Sequence, residues 1–129
     1  MAVTKESILA HRAKLQRVPT PEWGGDTFVR VMSGAERDAF EDETYRLNGK
    51  DVSVNRKNLR ARLLVRCIVD EEGARLFGDN DADTLGAQPA DVLDRVYAVA
   101  SKANGLSKAD EEDLAKNSDS APDDGSGST

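Results

Sequence analysis

Cysteine and histidine each occur only once in this 129-residue chain, as Cys67 and His11. A single cysteine excludes an internal disulfide and suits a reducing compartment. A zinc site needs several cysteine or histidine ligands, and one of each does not make such a site. We therefore predict neither a metal site nor a cofactor. Cys67 is predicted to lie in the core, and His11 to be a solvated or packing side chain on a short terminal helix.

Long hydrophobic runs are also missing. None approaches the roughly 20 apolar residues that a membrane-spanning helix requires, so no membrane association is expected. The polar start MAVTKES has no signal-peptide pattern. The sequence therefore predicts a protein that remains in the cytosol where it is synthesised.

The sequence has no recognisable signature of catalysis. Its acidic side chains fall in surface runs such as residues 110–113, whereas catalytic carboxylates need a pocket that separates their pKa values. The pair Gly24-Gly25 lacks the spacing, the lysine and the hydroxyl residue of a phosphate-binding loop. We therefore predict that the protein is not an enzyme.

One acidic segment resembles the start of a calcium loop. The aspartates of residues 79–83 alternate as calcium ligands do in such a loop. However, Thr84 replaces the required glycine and Ala90 replaces the bidentate glutamate. The segment is better explained as a helix cap, in which Asp79 or Asn80 begins a short helix.

The net charge of −6 is unevenly distributed. Residues 1–50 are balanced, residues 51–70 carry +3, and residues 71–129 carry −9. An acidic chain is a poor general nucleic-acid binder, because such binding depends on neutralising phosphates. The polarity instead favours a protein partner, or self-association of a basic stripe with an acidic one.

The predicted fold class is α+β, mainly α: a small helical domain with an N-terminal β-hairpin and a disordered acidic C-terminal tail. Ser33 and Glu36 form an S-x-x-E capping box. Pro89 opens a helix that Gly105 stops, with Leu106 making the hydrophobic contact that often follows. Helices are predicted at about 4–14, 34–47, 57–69, 80–86, 89–103 and 107–117.

The hairpin is predicted at about residues 16–32. Pro19 and Pro21 are tolerated only in an edge strand, because proline cannot donate a ladder hydrogen bond. Gly24-Gly25 is predicted to form the turn, and Phe28 to Met32 the better strand. Since a hairpin alone is marginal, we expect it to pack on a helix. Residues 50–56 are predicted to be a connector.

The helix at Lys57 to Val69 is the most apolar. Its leucines and valines form two stripes, and only the line through Arg62 and Arg66 stays polar along its length. We therefore predict a central helix packed on two sides, with Arg62 exposed. Leu47 is predicted to end the apolar face of the preceding helix.

Two features are candidates for partner binding. Trp23, at the predicted hairpin tip, is either a binding anchor or a lid folded onto the core. The second feature is a basic line that is either a functional patch or a solvated helix face whose arginine stems cover apolar neighbours. Its members are Arg56, Lys57, Arg60, Arg62 and Arg66.

The chain end has a distinct composition. Residues 118–129 contain only Ser, Asp, Ala, Pro, Gly and Thr, which bury too little apolar surface to offset the entropy of ordering. We therefore predict a single domain over residues 1–117 and a disordered tail over 118–129.

Several stretches together resemble the short tail assembly chaperones of long-tailed bacteriophages, which are encoded before the tape measure gene. They are VPTPEWGGDTFVRVMSGAERDAFE at 18–41, KNLRARLLVRCIVDEEGARLF at 57–77, and NGLS at 104–107. The resemblance covers about residues 7–117, and it is the order and spacing of the stretches that carry it.

The resemblance implies a function that composition and periodicity do not reach. Such proteins hold the aggregation-prone tape measure protein before tail tube subunits polymerise around it. They act in the host bacterial cytoplasm and are usually absent from the mature virion. The family has no catalytic residues to carry over. The rival hypothesis is a small nucleic-acid-associated regulatory protein that uses the basic helix 56–66.

The resemblance also implies a longer product in many of these phages. A ribosomal frameshift adds a domain thought to recruit the tail tube protein, and this chain would be the short, unshifted form. Lys116-Asn117 could be encoded by a slippery A-AAA-AAC sequence, or could simply end the last helix. The amino acids alone leave both readings open.

Overall fold

The computed structural model describes residues 1–106. The predicted last helix at 107–117, the predicted tail at 118–129 and the pair Lys116-Asn117 lie outside these residues. Helix α1, Lys5–Ala10, is capped by the hydroxyl of Thr4, which accepts a hydrogen bond from the Ser7 amide. This helix is shorter than predicted and has no buried residue, and His11 just beyond it is exposed.

The N-terminal hairpin is confirmed. Strand β1, Gln16–Thr20, pairs antiparallel with strand β2, Gly25–Val29. A 3₁₀ turn at Pro21–Trp23 connects them and ends at Gly24, whose φ of 87° is in the left-handed region that glycine adopts freely. Gly25 already belongs to β2, so the turn lies earlier than predicted, because Pro21 starts a helical turn.

Helix α2, Gly34–Thr44, begins at the predicted capping box. The Ser33 hydroxyl accepts from the Glu36 amide, and the Glu36 carboxylate accepts from the Ser33 amide. The helix ends before Leu47, which is 77% exposed, so the prediction that Leu47 extends its apolar face is wrong.

A second hairpin replaces the end of that predicted helix and the predicted connector. Strand β3, Tyr45–Asn48, pairs antiparallel with strand β4, Asp51–Val54. The loop between them has two residues, and Gly49 at its first position has φ 68°. A positive φ at this position is what a two-residue hairpin loop of the II′ type requires.

Helix α3, Leu59–Cys67, is the central helix that the sequence predicted. Leu63, Leu64 and Val65 are fully buried. The helix stops at Cys67, and Ile68–Val69 continue as strand β5. β5 pairs antiparallel with β2, giving a three-stranded sheet in the order β1-β2-β5. β1, which carries Pro19, lies at the edge as expected.

Two helices complete the described chain. A 3₁₀ turn at Asp79–Asp81 leads into the short helix α4, Ala82–Gly86. The predicted capping by Asp79 or Asn80 is wrong: the N-cap of α4 is Asp81, which makes no side-chain capping bond to that helix. The Asp81 carboxylate instead accepts from the Gly78 amide at 2.7 Å, at the start of the 3₁₀ turn.

Helix α5, Ala90–Ala103, has Pro89 at its N-cap. Its predicted apolar face is buried at Val92, Leu93, Val96 and Ala100. Gly105 has the left-handed φ of 71°, and Leu106 is buried as expected.

The core lies around α3, which packs against α5, α4 and α2, while α5 also packs against strands β1 and β2. The α+β, mainly α architecture with an N-terminal hairpin is therefore as predicted. The hairpin packs on α5, as a marginal two-stranded unit must pack on a helix.

Candidate partner-binding site

Trp23 stands at the turn of the first hairpin and is held in place by a distant residue. Its indole Nε1 donates a 2.9 Å hydrogen bond to Oε1 of Gln88. The neighbouring Glu22 carboxylate accepts two hydrogen bonds from the Arg95 guanidinium, at 2.8 and 2.6 Å. These bonds with Arg95 lower the pKa of Glu22 to about 2, so this pair stays ionised at neutral pH. The turn is therefore fixed onto α5 and the loop before it.

The fixed turn forms one wall of an open groove of about 760 Å³, here called the Trp23 groove. Residues of strands β2 and β5, of the segment after β5 and of α4 also line it. The apolar and aromatic groups that line it are Trp23, Phe28, Ile68, Val69, Leu76, Phe77 and Leu85. Leu76 is 58% exposed, so the groove presents apolar surface to solvent. Grooves lined in this way are the usual ligand-binding surfaces of proteins.

The charge at the lip of the Trp23 groove has one sign. Asp26, Asp70, Glu71 and Glu72 line the groove, and Asp26 also forms an ion pair with Arg17 at 3.5 Å. Among the described residues that line the groove, none is lysine or arginine. The groove therefore suits an apolar segment that is flanked by basic side chains, because unlike charges steer and orient a partner.

The sequence-predicted basic line is split by the structure. Arg66 is 1% exposed, and its guanidinium bonds Glu43 at 3.0 and 3.2 Å. Arg62 is also largely covered, because its guanidinium donates to the carbonyls of Lys57 and Asn55 at 2.8 and 2.6 Å. The prediction that Arg62 is exposed is therefore wrong.

The sequence gives a reason for this burial. Arg62 and Arg66 are one turn apart on α3, so they face the end of α2 together, where Glu43 lies opposite both, and Arg62 also reaches Asn55 just after β4. The Arg62 guanidinium also lies 5.8 Å from the ring centre of Phe40. A helical wheel that assigns all arginines to the solvent side misses such internal partners.

The remaining arginines of the basic line lie beside a second groove, of about 830 Å³, between the start of α3 and the length of α5. We call it the Tyr97 groove. Arg56 and Arg60 line it at one side, and Lys102 at the end of α5. Its apolar groups are Leu59, Ala61, Leu93, Tyr97 and Ala98. Arg60 forms an ion pair with Asp94.

The structure does not bring Trp23 and the basic line into one site. Trp23 belongs to the acidic-lipped groove, and Arg56 and Arg60 to the basic-lipped one. Sequence reasoning missed Leu76, Phe77 and Gln88. The only sequence signal for these residues was the apolar pair Leu76-Phe77, which follows the charged segment 70–75.

Other kinds of site find no support in the described part of the chain. Within residues 1–106, no group of three or more His, Cys, Asp or Glu is placed to hold a metal ion. Across the same residues, no helix is long and apolar enough to cross a membrane. Cys67 is buried, and burial raises the pKa of its thiol to about 12, which is unsuited to a nucleophile.

A small α+β domain that carries two open grooves, each with a lip of one predominant charge, has the features of a protein-binding module. The family model described as phage tail assembly chaperone matches residues 3–117 of the chain. The chain therefore belongs to the phage tail assembly chaperone family. No curated protein and no solved structure matches it.

Proposed function

We propose that this chain binds apolar segments of the phage tape measure protein in the Trp23 groove and keeps that protein soluble until tail tube subunits assemble around it. Family membership supports a role in tail assembly. The observation that carries the choice of site is the turn of Trp23, which is held by Gln88 and Arg95 beside a groove of apolar side chains in which Leu76 is 58% exposed.

The groove suits a helix-in-groove mode of binding. An amphipathic helix is about 10 Å across with side chains, and it presents apolar residues at every third or fourth position. Because the turn is already held in place, binding costs little ordering of the chaperone. Each bound segment is withdrawn from aggregation by mass action.

The acidic lip selects among apolar segments. Asp26, Glu71 and Glu72 attract a segment that has lysine or arginine beside its apolar stripe and repel one that has acidic flanks. The alternative function, nucleic-acid binding by helix 56–66, loses support because Arg62 and Arg66 bond internally.

The remaining parts of the proposal follow from the role in tail assembly. The protein acts in the host bacterial cytoplasm, leaves no subunit in the mature virion and needs no catalytic group. A longer frameshifted form would recruit the tail tube protein.

Two leucines offer a matched test of the groove. Leu76 lies in the Trp23 groove at 58% exposure, whereas Leu47 lies on the second hairpin at 77% exposure. Each variant is co-expressed with the tape measure protein of the same phage, and the soluble tape measure protein is measured. Leu76→Ala should lower the soluble yield and the amount that co-purifies, and Leu47→Ala should not. Equal yields from both variants would contradict the proposed site.

A further inference from the structure

The N-terminal segment, residues 1–14, is exposed along its whole length. Helix α1 forms within it, and the capping hydrogen bonds between Thr4 and Ser7 stay inside the segment. Ile8 and Leu9, here called the apolar pair, are 58% and 64% exposed. An isolated helix shorter than about 12 residues is marginal in water, so α1 gains from a surface to pack on. The segment therefore presents an apolar side that its own domain does not cover.

The charge beside the apolar pair is mainly basic. The segment carries Lys5, Arg12 and Lys14 against one acidic residue, Glu6. Lys5 comes three and four positions before the two members of the apolar pair, so it borders them on the same side of α1. The segment thus combines an apolar side with basic neighbours.

The two grooves differ in how they would receive such a segment. The Trp23 groove joins apolar side chains to the carboxylates of Glu71 and Glu72, which are exposed. The Tyr97 groove is lined by Arg56, Arg60 and Lys102, which would repel a basic segment. Charge therefore selects the Trp23 groove.

The segment does not lie in the Trp23 groove of its own chain. In the first hairpin, Gln16 pairs with Val29 at one end and Thr20 pairs with Gly25 at the other. The segment precedes Gln16, whereas the hairpin residues that line the groove begin at Thr20 and surround the turn. None of residues 1–14 lines the groove. The matching surface is therefore that of a second copy.

We propose that the N-terminal segment of one copy docks in the Trp23 groove of a second copy, with the apolar pair against Leu76 and with Lys5 facing Glu71 and Glu72. The contact is head-to-tail, because each copy offers its segment at one surface and its groove at another. The inference rests on the proposed function in one respect, since the segment occupies the site assigned there to the tape measure protein. Self-association covers the apolar groove until a tape measure segment displaces it.

The contact is expected to be weak enough for such displacement. Helix α1 has six residues. A helix of this length buries less than the roughly 1,200 Å² of total surface that stable interfaces reach, and smaller interfaces belong to transient encounters. Exchange between a second copy and a tape measure segment is therefore rapid.

The test uses two variants of the full chain, each of which lacks one half of the contact. Ile8→Glu with Leu9→Glu removes the apolar pair and keeps the groove, whereas Leu76→Glu alters the groove and keeps the segment. Sedimentation equilibrium from about 1 μM to about 1 mM should show that the parent self-associates and that each variant alone is monomeric. Mixed in equal amounts, the two variants should form a one-to-one heterodimer, because one supplies the groove and the other the segment. Leu47→Glu, at an exposed position outside both halves, should associate like the parent.

A parent that stays monomeric at the highest concentration would overturn the inference. A mixture of the two variants that stays monomeric, or self-association that survives in either variant alone, would also overturn it. Tape measure peptides separate this inference from the proposed function. Peptides that bind the groove of a parent that never self-associates would overturn the docking of the segment alone. Self-association through the segment and the groove that no such peptide displaces would support the docking and contradict the proposed function.

Discussion

The indole of Trp23 and the side-chain amide of Gln88 are joined by a 2.9 Å hydrogen bond, although they lie 65 residues apart. The bond gives the indole N–H a partner, and the ring lines the Trp23 groove. With the Glu22–Arg95 ion pair beside it, the bond makes the hairpin turn part of a preformed surface.

Alanine substitutions at Leu63 and Arg62, which are neighbours on α3, test how the central helix packs. Leu63→Ala should lower the free energy of unfolding by about 2–5 kcal/mol, because the side chain is fully buried. Arg62→Ala should cost about 1–3 kcal/mol, because it leaves the carbonyls of Lys57 and Asn55 without their donor. Chemical denaturation measures both, and the exposed Arg56→Ala serves as the control, with an expected change within about 0.5 kcal/mol. A cost for Arg62→Ala equal to that control would contradict the bonding described.

Asn104 is a buried polar residue that joins the end of α5 to the strand side of the core. Its Oδ1 accepts from the Met32 amide at 2.8 Å, and its Nδ2 donates to the Ala100 carbonyl at 2.8 Å. Asn104→Leu should destabilise the protein by about 1–3 kcal/mol, since the Met32 amide is left buried without an acceptor. Hydrogen exchange at the Met32 amide should accelerate in this variant more than exchange in α3. Unchanged exchange at Met32 would show that the bond does not matter.

Glu36 makes stability depend on pH. Burial opposes its ionisation, but hydrogen bonds from Arg30 and Ser33 outweigh burial, so the pKa of Glu36 is lowered. A lowered carboxylate pKa gives stability that is present above the pKa of the unfolded chain and is lost as pH falls through the folded value. The urea midpoint should therefore drop in acid, and Glu36→Gln should make this drop shallower. Asp38→Asn, at an exposed position of the same helix, is the control. An identical acid profile for Glu36→Gln and the parent would contradict the assignment.

Cys67 should react with thiol reagents only when the protein opens. Its side chain is fully buried, and burial raises its thiol pKa to about 12, whereas the thiolate is the reactive form. Labelling should be slow in buffer and fast in urea, and Leu63→Ala should accelerate it. Rapid labelling of the native parent protein would show that α3 is less well covered than described.

Local patterns predicted much of this fold. The capping box at Ser33, the stop at Gly105 and the apolar face of α5 depend on residues near in sequence, and all three are confirmed. The second hairpin was missed because Leu47 fits a helical apolar arc as well as it fits a strand.

The candidate site was only half predictable. Trp23 was singled out from its position at a turn. Arg66 was misplaced because its partner Glu43 lies 23 residues away, and no helical pattern reports such a pair. Similarly, the hydrogen bond between Trp23 and Gln88 and the position of Leu76 in the Trp23 groove bring together residues that are far apart in the sequence.

The fluorescence of Trp23 tests the central claim most directly, because it is the only tryptophan in the chain. Peptides that cover the tape measure protein, free of tryptophan, are titrated into the full protein. We predict a saturable change in Trp23 emission for apolar peptides with basic flanks. The apparent affinity should fall at least about tenfold, or about 1.4 kcal/mol, in Leu76→Glu, and should be unchanged in Leu47→Glu. Peptides that bind by calorimetry without changing Trp23 emission, or that bind Leu76→Glu as well as the parent, would contradict the account.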